Sequence, residues 1–155
     1  MRAITIISAA FLLFAIGNTS NAQIYESTDG IYYADNYTPY NGVYTEYHEN
    51  GKLRIEVEFT EGIMNGTINL YNQLGQLEET RSYKSGRKDG KWVTYTVGQE
   101  KLSEANYKNG RKDGKWLIWD EQGTLRCEME YKRGKKVGTW YRWDEGGTMI
   151  DSITY

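Results

Sequence analysis

The periodicity of this chain predicts an all-β protein, an elongated antiparallel β-meander built from about five 24-residue hairpin repeats. Glycine sets the clock. Gly42, Gly66, Gly90, Gly114 and Gly138 are 24 residues apart, as are Gly62, Gly86, Gly110 and Gly134. A third series, Gly51, Gly75, Gly123 and Gly147, keeps the same register around Gln99. Large apolar residues follow the same period. One column is Tyr44, Ile68, Trp92, Trp116 and Trp140, a second is Phe59, Tyr83, Tyr107, Tyr131 and Tyr155, and a third is Tyr47, Tyr71, Tyr95, Trp119 and Trp143. Between glycines the sequence alternates. Leu125, Cys127, Met129 and Tyr131 oppose Thr124, Arg126, Glu128 and Glu130, the pattern of a strand with one buried face. Repetition at a fixed short period marks stacked supersecondary units.

In chain order, residues 1–22 read as a signal peptide. Arg2 precedes an apolar run from Ile4 to Ile16, and Ser20 and Ala22 stand at −3 and −1 of a cut before Gln23. The run spans about 13 residues, short of the roughly 20 a membrane-crossing helix needs. The chain is therefore expected to be exported, periplasmic or extracellular, with no transmembrane segment in the mature part. Residues 23–41 form a lead-in or cap, with a short strand expected over Ile31-Tyr32-Tyr33 and the only proline at Pro39. Residues 42–155 are the repeat domain. Each unit offers two strands and two glycine-containing turns, since tight hairpin connections require positive φ. Ten strands at roughly 4.8 Å spacing give a body about 45 Å long. The last strand, near Tyr155, is expected to be an open or partner-covered edge.

Three irregularities stand out. Trp116 and Trp119 are three residues apart, so either both faces carry aromatics or a bulge re-aims one ring. Gly98 falls one place early and Leu102 stands beside the register position held by Lys101, so the third hairpin turn is expected to be rebuilt locally. The second repeat has Ile68 in place of tryptophan and Met64-Asn65 in place of the Lys-Asp pair.

Catalytic chemistry has little to draw on. His48 is the sole histidine and Cys127 the sole cysteine, too few for a histidine-based triad or an ordinary zinc site, and no intramolecular disulfide can form. His48 reads as a surface residue, Cys127 as buried and inert with an intermolecular disulfide as the alternative, and Asp120-Glu121 and Asp144-Glu145 as solvated turn residues. No enzyme activity, metal or cofactor is expected. The full chain has a formal net charge of −2, and loss of Arg2 with the leader makes it −3. That balance gives no steering toward nucleic acid.

Charge placement says more than the total. The inter-repeat connections are basic, through Arg87, Lys88, Arg111, Lys112, Lys132, Arg133, Lys135 and Lys136. The last two hairpin turns are acidic. An up-and-down ribbon puts these two classes of turn on opposite long edges. Candidate binding surfaces are thus a basic ridge and the aromatic columns, Trp92, Trp116, Trp119, Trp140 and Trp143. The predicted function is a non-enzymatic exported scaffold for protein–protein interaction. The alternative is an envelope-associated module binding anionic lipid head groups or glycan through its basic turns. The columns serve equally as cross-strand ladders that hold a single-layer sheet together.

The stretch Lys108-Asn109-Gly110-Arg111-Lys112-Asp113-Gly114-Lys115-Trp116, its near copy Lys84 to Trp92, and Tyr131 to Trp140 resemble the MORN-repeat variant proteins. The turn Glu49-Asn50-Gly51-Lys52-Leu53 and the lead-in Asp29 to Tyr33 also resemble secreted members of the YwqK-family antitoxin group. That resemblance implies an extended β-meander used for protein contacts, in some relatives at a membrane.

Overall fold

The computed structural model describes residues 23–34 and 37–155; the leader expected at 1–22 lies outside the described residues. In the lead-in, β1 (Ile24–Glu26) and β2 (Tyr32–Ala34) form a two-stranded antiparallel sheet, a hairpin where a single strand was expected. The repeat domain consists of β3 (Gly42–Tyr47), β4 (Leu53–Thr60), β5 (Ile63–Tyr71), β6 (Leu77–Lys84), β7 (Arg87–Tyr95), β8 (Lys101–Lys108), β9 (Arg111–Lys112), β10 (Gly114–Trp119), β11 (Leu125–Lys132), β12 (Lys135–Trp143) and β13 (Met149–Thr154). These make one 11-stranded sheet in the order β13-β12-β11-β10-β8-β7-β6-β5-β4-β3, with β9 also on β8. Every pairing is antiparallel and, apart from β8 with β10 across the short β9, between sequence neighbours. The eleventh strand arises because Asp113 divides β9 from β10; the five expected hairpins are all there.

Inter-repeat connections are two-residue turns in which both central residues have positive φ. Glu61-Gly62, Ser85-Gly86, Asn109-Gly110 and Arg133-Gly134 all show this, with φ of 48° and 79° at Asn109-Gly110. Two positive φ values define the I′ turn, whose twist suits antiparallel strands. Each turn is held from the preceding repeat by two hydrogen bonds. The Gly86 N–H donates to Met64 O at 2.9 Å, and those of Gly110 and Gly134 donate to Lys88 O and Lys112 O at 2.8 Å. The first turn residue donates its N–H to a side chain 20 positions earlier. Glu61 meets Asn41 at 2.8 Å, Ser85 meets Asn65 at 3.2 Å, Asn109 meets Asp89 at 2.9 Å and Arg133 meets Asp113 at 3.0 Å. Met64-Asn65 in the second repeat therefore departs from the Lys-Asp pattern only at the lysine, because asparagine accepts as well as aspartate does. The fifth residue of this column is Val137.

The turns within hairpins form a different class. Gly51 N–H donates to His48 O, and His48 N–H to Lys52 O; the fourth residue lies in the left-handed region. Contrary to expectation, the third hairpin follows the same plan. Gln99 takes φ 67° and Thr96 exchanges the same pair of bonds with Gln99 and Glu100. Gly98 is ordinary backbone, and Tyr95 pairs with Lys101 as Tyr71 pairs with Leu77. The side chain of Gln99 donates to Leu77 O at 3.1 Å, which helps hold the strained position.

A bulge recurs beside each of these turns. Ile118 pairs with Cys127 and Trp119 with Leu125, leaving Arg126 as the extra residue on the second strand. Arg54, Glu78, Leu102 and Ile150 occupy the same place in the other hairpins. The first strand keeps strict alternation, so Trp116 and Trp119 point to opposite faces. Both faces carry aromatics, and Leu102 is the bulge residue of its hairpin. A second irregularity sits at the start of each later first strand, where Asp89, Gly90 and Lys91 together oppose Ser82. Gly90 has φ 99° there, and a Cβ on it would lie 3.0 Å from Ser82 Cβ. Close approach across strands explains this glycine column from Gly66 onward, where Glu58, Ser82, Asn106 and Glu130 are the neighbours.

The sheet is mostly a single layer. Among the described residues only Val57, Phe59, Ile68 and Val93 are buried apolar side chains. The first three form a core at the N-terminal end, where Ile24, Tyr32 and Tyr40 of the lead-in pack against them. Burial and a hydrogen bond to Glu26 push the Tyr32 phenol up to about 12. On the face away from Trp92, buried Glu104 pairs across strands with Val93 and is held by Lys101 at 2.7 Å and Lys91 at 2.8 Å. The hydrogen bonds from Lys101 and Lys91 keep its carboxyl below the usual glutamate range.

Two stability predictions follow from these contacts. A residue held at left-handed φ costs roughly 1–2 kcal/mol unless it is glycine or, in part, asparagine. Ser85→Asn is therefore expected to stabilise by about 0.5 kcal/mol, read as a raised urea midpoint with an unchanged slope. Glu104, with a lowered folded-state pKa, stabilises fully above its unfolded value of about 4.3. That stabilisation is lost as pH falls through the lower folded value. Thermal melts across the acid range should show a flatter acid limb for Glu104→Gln than for the parent.

Candidate functional site

Alternation places Trp92 of β7, Trp116 of β10 and Trp140 of β12, each two residues after its column glycine, on the same face as the tyrosines of the intervening strands. The result is a continuous ring ladder. Tyr83 and Trp92 are 5.6 Å apart, Trp92 and Tyr107 5.1 Å, and Tyr107 and Trp116 5.3 Å. Trp116 and Tyr131 are 5.3 Å apart, Tyr131 and Trp140 5.1 Å, and Trp140 and Tyr155 4.8 Å. All six contacts are tilted or edge-on, the geometry the ring quadrupole favours. Each indole N–H donates to a backbone carbonyl on the preceding strand. Trp92 bonds Ser82 O at 3.2 Å, Trp116 bonds Asn106 O and Trp140 bonds Glu130 O at 3.1 Å. Indole orientation is thereby fixed. Burial among the rings raises the Tyr83 and Tyr107 phenols.

Three lysines cap this ladder. The Lys88 ammonium lies 4.0 Å from the Trp92 centroid and 5.1 Å from that of Tyr107. Lys112 is 4.0 Å from Trp116 and 4.7 Å from Tyr131, and Lys136 is 4.5 Å from both Trp140 and Tyr155. Each cation sits over two rings, an arrangement worth about 0.5–1 kcal/mol where solvent reaches it. The ladder therefore has a hydrophobic floor and a positive rim.

The structure divides both sequence-predicted surfaces. Trp92, Trp116 and Trp140 share the ladder face, while Trp119 and Trp143 lie on the other face, where Trp143 packs 5.8 Å from Tyr141. The basic ridge is two rows rather than one. Lys88, Lys112 and Lys136 join the ladder. Arg87, Arg111 and Lys135, one residue earlier, point to the opposite face with Lys132. Lys132 reaches Asp113 at 3.2 Å, and Arg133 occupies a turn. The Arg133 N–H and then the Lys132 ammonium hold the Asp113 carboxyl below its ordinary range. Turn capping by Asn41, Asn65, Asp89 and Asp113 is the role sequence reasoning missed. Their column is visible beside the first glycine series, but the N–H they serve is 20 residues away.

The acidic turns also have local work. Asp120 accepts the N–H groups of Gln122 at 3.1 Å and Thr124 at 2.8 Å, and Asp144 accepts that of Thr148 at 2.8 Å. His48 contacts Tyr71 O at 2.8 Å through Nε2. Cys127 is half-buried rather than buried. With Met129, Trp140 and Ile153 it lines a shallow groove of about 200 Å³ at the C-terminal end of the ladder face.

The family described as MORN repeat variant matches residues 40–61 and 112–133. Each matched segment is one hairpin, running from a capping side chain, Asn41 or Asp113, to the N–H it accepts, Glu61 or Arg133. The similarity is thus to the repeat unit at two places. No curated protein matches the chain. MORN repeats are generally associated with binding or scaffold roles.

Trp116 is half-buried, so Trp116→Ala is expected to cost about 3 kcal/mol, the low end for removing a large aromatic. Trp116→Phe keeps a ring but loses the indole bond, at about 1 kcal/mol. Urea unfolding followed by far-ultraviolet dichroism distinguishes the two.

Proposed function

We propose that this chain is an exported, non-enzymatic scaffold that binds a protein partner on its aromatic face. The observation that carries this reading is the unbroken ladder from Tyr83 to Tyr155, with Lys88, Lys112 and Lys136 over its rings. Rings locked by neighbours and by indole hydrogen bonds offer large contact area at little entropic cost. Ile118 and Ile153, 41% and 50% exposed, extend the apolar area beside them. The surface suits a partner that brings aliphatic groups to the rings and carboxylates to the lysines. A toxin is one such partner, as the resemblance to the antitoxin group implies. Export is part of the proposal and rests on the pattern of residues 1–22.

Capture from an envelope fraction by the immobilised chain tests the reading. A partner should be retained by the parent and by Arg87→Glu/Arg111→Glu, and lost with Lys112→Glu/Ile118→Asp, provided the variants give the parent dichroism spectrum. Equal retention by all three would sink the aromatic face as the site. Mass spectrometry of the exported chain should show an N-terminus at Gln23.

A further inference from the structure

Cross-strand register brings together basic residues that the sequence separates. At three successive inter-repeat turns the two residues flanking the turn are both cationic. Lys84 pairs with Arg87, Lys108 with Arg111 and Lys132 with Lys135. Paired residues share a face, so each turn carries two cations side by side, on the face away from the ladder. Like charges directly opposite destabilise a sheet, and the first turn avoids this with Thr60 opposite Ile63. All six basic residues are exposed. Lys132 is engaged by Asp113, but Lys84, Arg87, Lys108 and Arg111 form no ion pair among the described residues. Successive pairs are two strands apart, about 9.5 Å, in a row along one edge.

We propose that this edge is a track for a linear acidic polysaccharide, with one carboxylate seated at each basic pair. An anion between two cations converts their repulsion into attraction, and arginine offers carboxylate a two-pronged donor fork. The step between pairs is close to the length of a disaccharide unit, so a polymer charged once per disaccharide meets successive pairs in phase. A row of sites also gains from multivalency, since the second contact becomes intramolecular. A membrane fits less well. The exposed loop side chains Leu74 and Val97 belong to hairpin turns on the other edge, which leaves the basic row without an apolar anchor beside it. This surface is separate from the ladder, so the two proposals stand or fall independently.

Fluorescence anisotropy with labelled hyaluronan oligosaccharides, using the full chain at low ionic strength, tests the assignment. Binding should strengthen once the oligosaccharide is long enough to span two pairs, and fall as salt is added. Arg87→Glu/Arg111→Glu should weaken it at least about ten-fold, the loss of two charge-assisted contacts, while Lys88→Gln/Lys112→Gln should leave it nearly unchanged. No binding by the folded parent overturns the proposal. So does equal affinity for polyphosphate, which would make charge density the determinant, or preferential binding to phosphatidylglycerol vesicles, which would make the ligand a membrane. Salt-sensitive self-association abolished by the same arginine variant would instead assign the row to the acidic turns of a second copy.

Discussion

A single layer of β-sheet has solvent on both faces and no interior, and that constraint shapes every contact in this array. Stability has to come from lateral neighbours. The ladder supplies it on one face: six ring contacts between Tyr83 and Tyr155, at about 0.5–1.5 kcal/mol each beyond their area burial. That total is on the scale of the net stability of a whole domain, about 5–15 kcal/mol. The lysines over the rings add to it. Along the turn edge, the capping side chains and the glycine N–H groups fasten each hairpin to the one before. Where the ladder gives way to aliphatics, at Val57 and Ile68, the lead-in folds over and supplies a small conventional core. The cap and the ladder are two solutions to one problem.

The same constraint separates the functions of the surfaces. A sheet without an interior exposes both faces and both turn edges, so chemistry can be assigned to each. The continuous ring ladder and its ammonium groups occupy one face, while the other carries the rings of Trp119 and Trp143 and cross-strand ion pairs such as Lys115 with Glu128. Cations line one edge, while Asp120 and Asp144 turn the chain on the other. Strand topology thus sets the basic inter-repeat turns and the acidic hairpin turns on opposite edges, although the chain as a whole is close to neutral.

Much of this was legible in the sequence because a period of 24 residues writes the same contact several times. The fold class and the hairpin unit follow from glycine and aromatic columns, and the edge charges from the basic and acidic residues at the two classes of turn. What stayed hidden depends on register. Gly98 looked like a slipped turn because glycine usually marks positive φ, yet the conformation belongs to a position, and Gln99 fills it with help from Leu77 O. Trp119 was ambiguous because a bulge was foreseeable but its strand was not; it falls on the second strand, at Arg126, and leaves Trp119 unmoved. The basic ridge read as one surface because Arg87 and Lys88 are adjacent in sequence, and adjacent strand residues face opposite ways.

The capping column shows most clearly how far local sequence can specify a non-local contact. Asn41, Asn65, Asp89 and Asp113 each serve a turn that closes one hairpin later. Either residue type suffices, since only an acceptor oxygen is needed. The aspartates embedded in the basic connections are therefore structural. They fix the turns whose flanking residues, Lys84 to Lys135, carry the exposed charge. Rigid turns hold those cations at a constant spacing, which a flexible basic loop could not do.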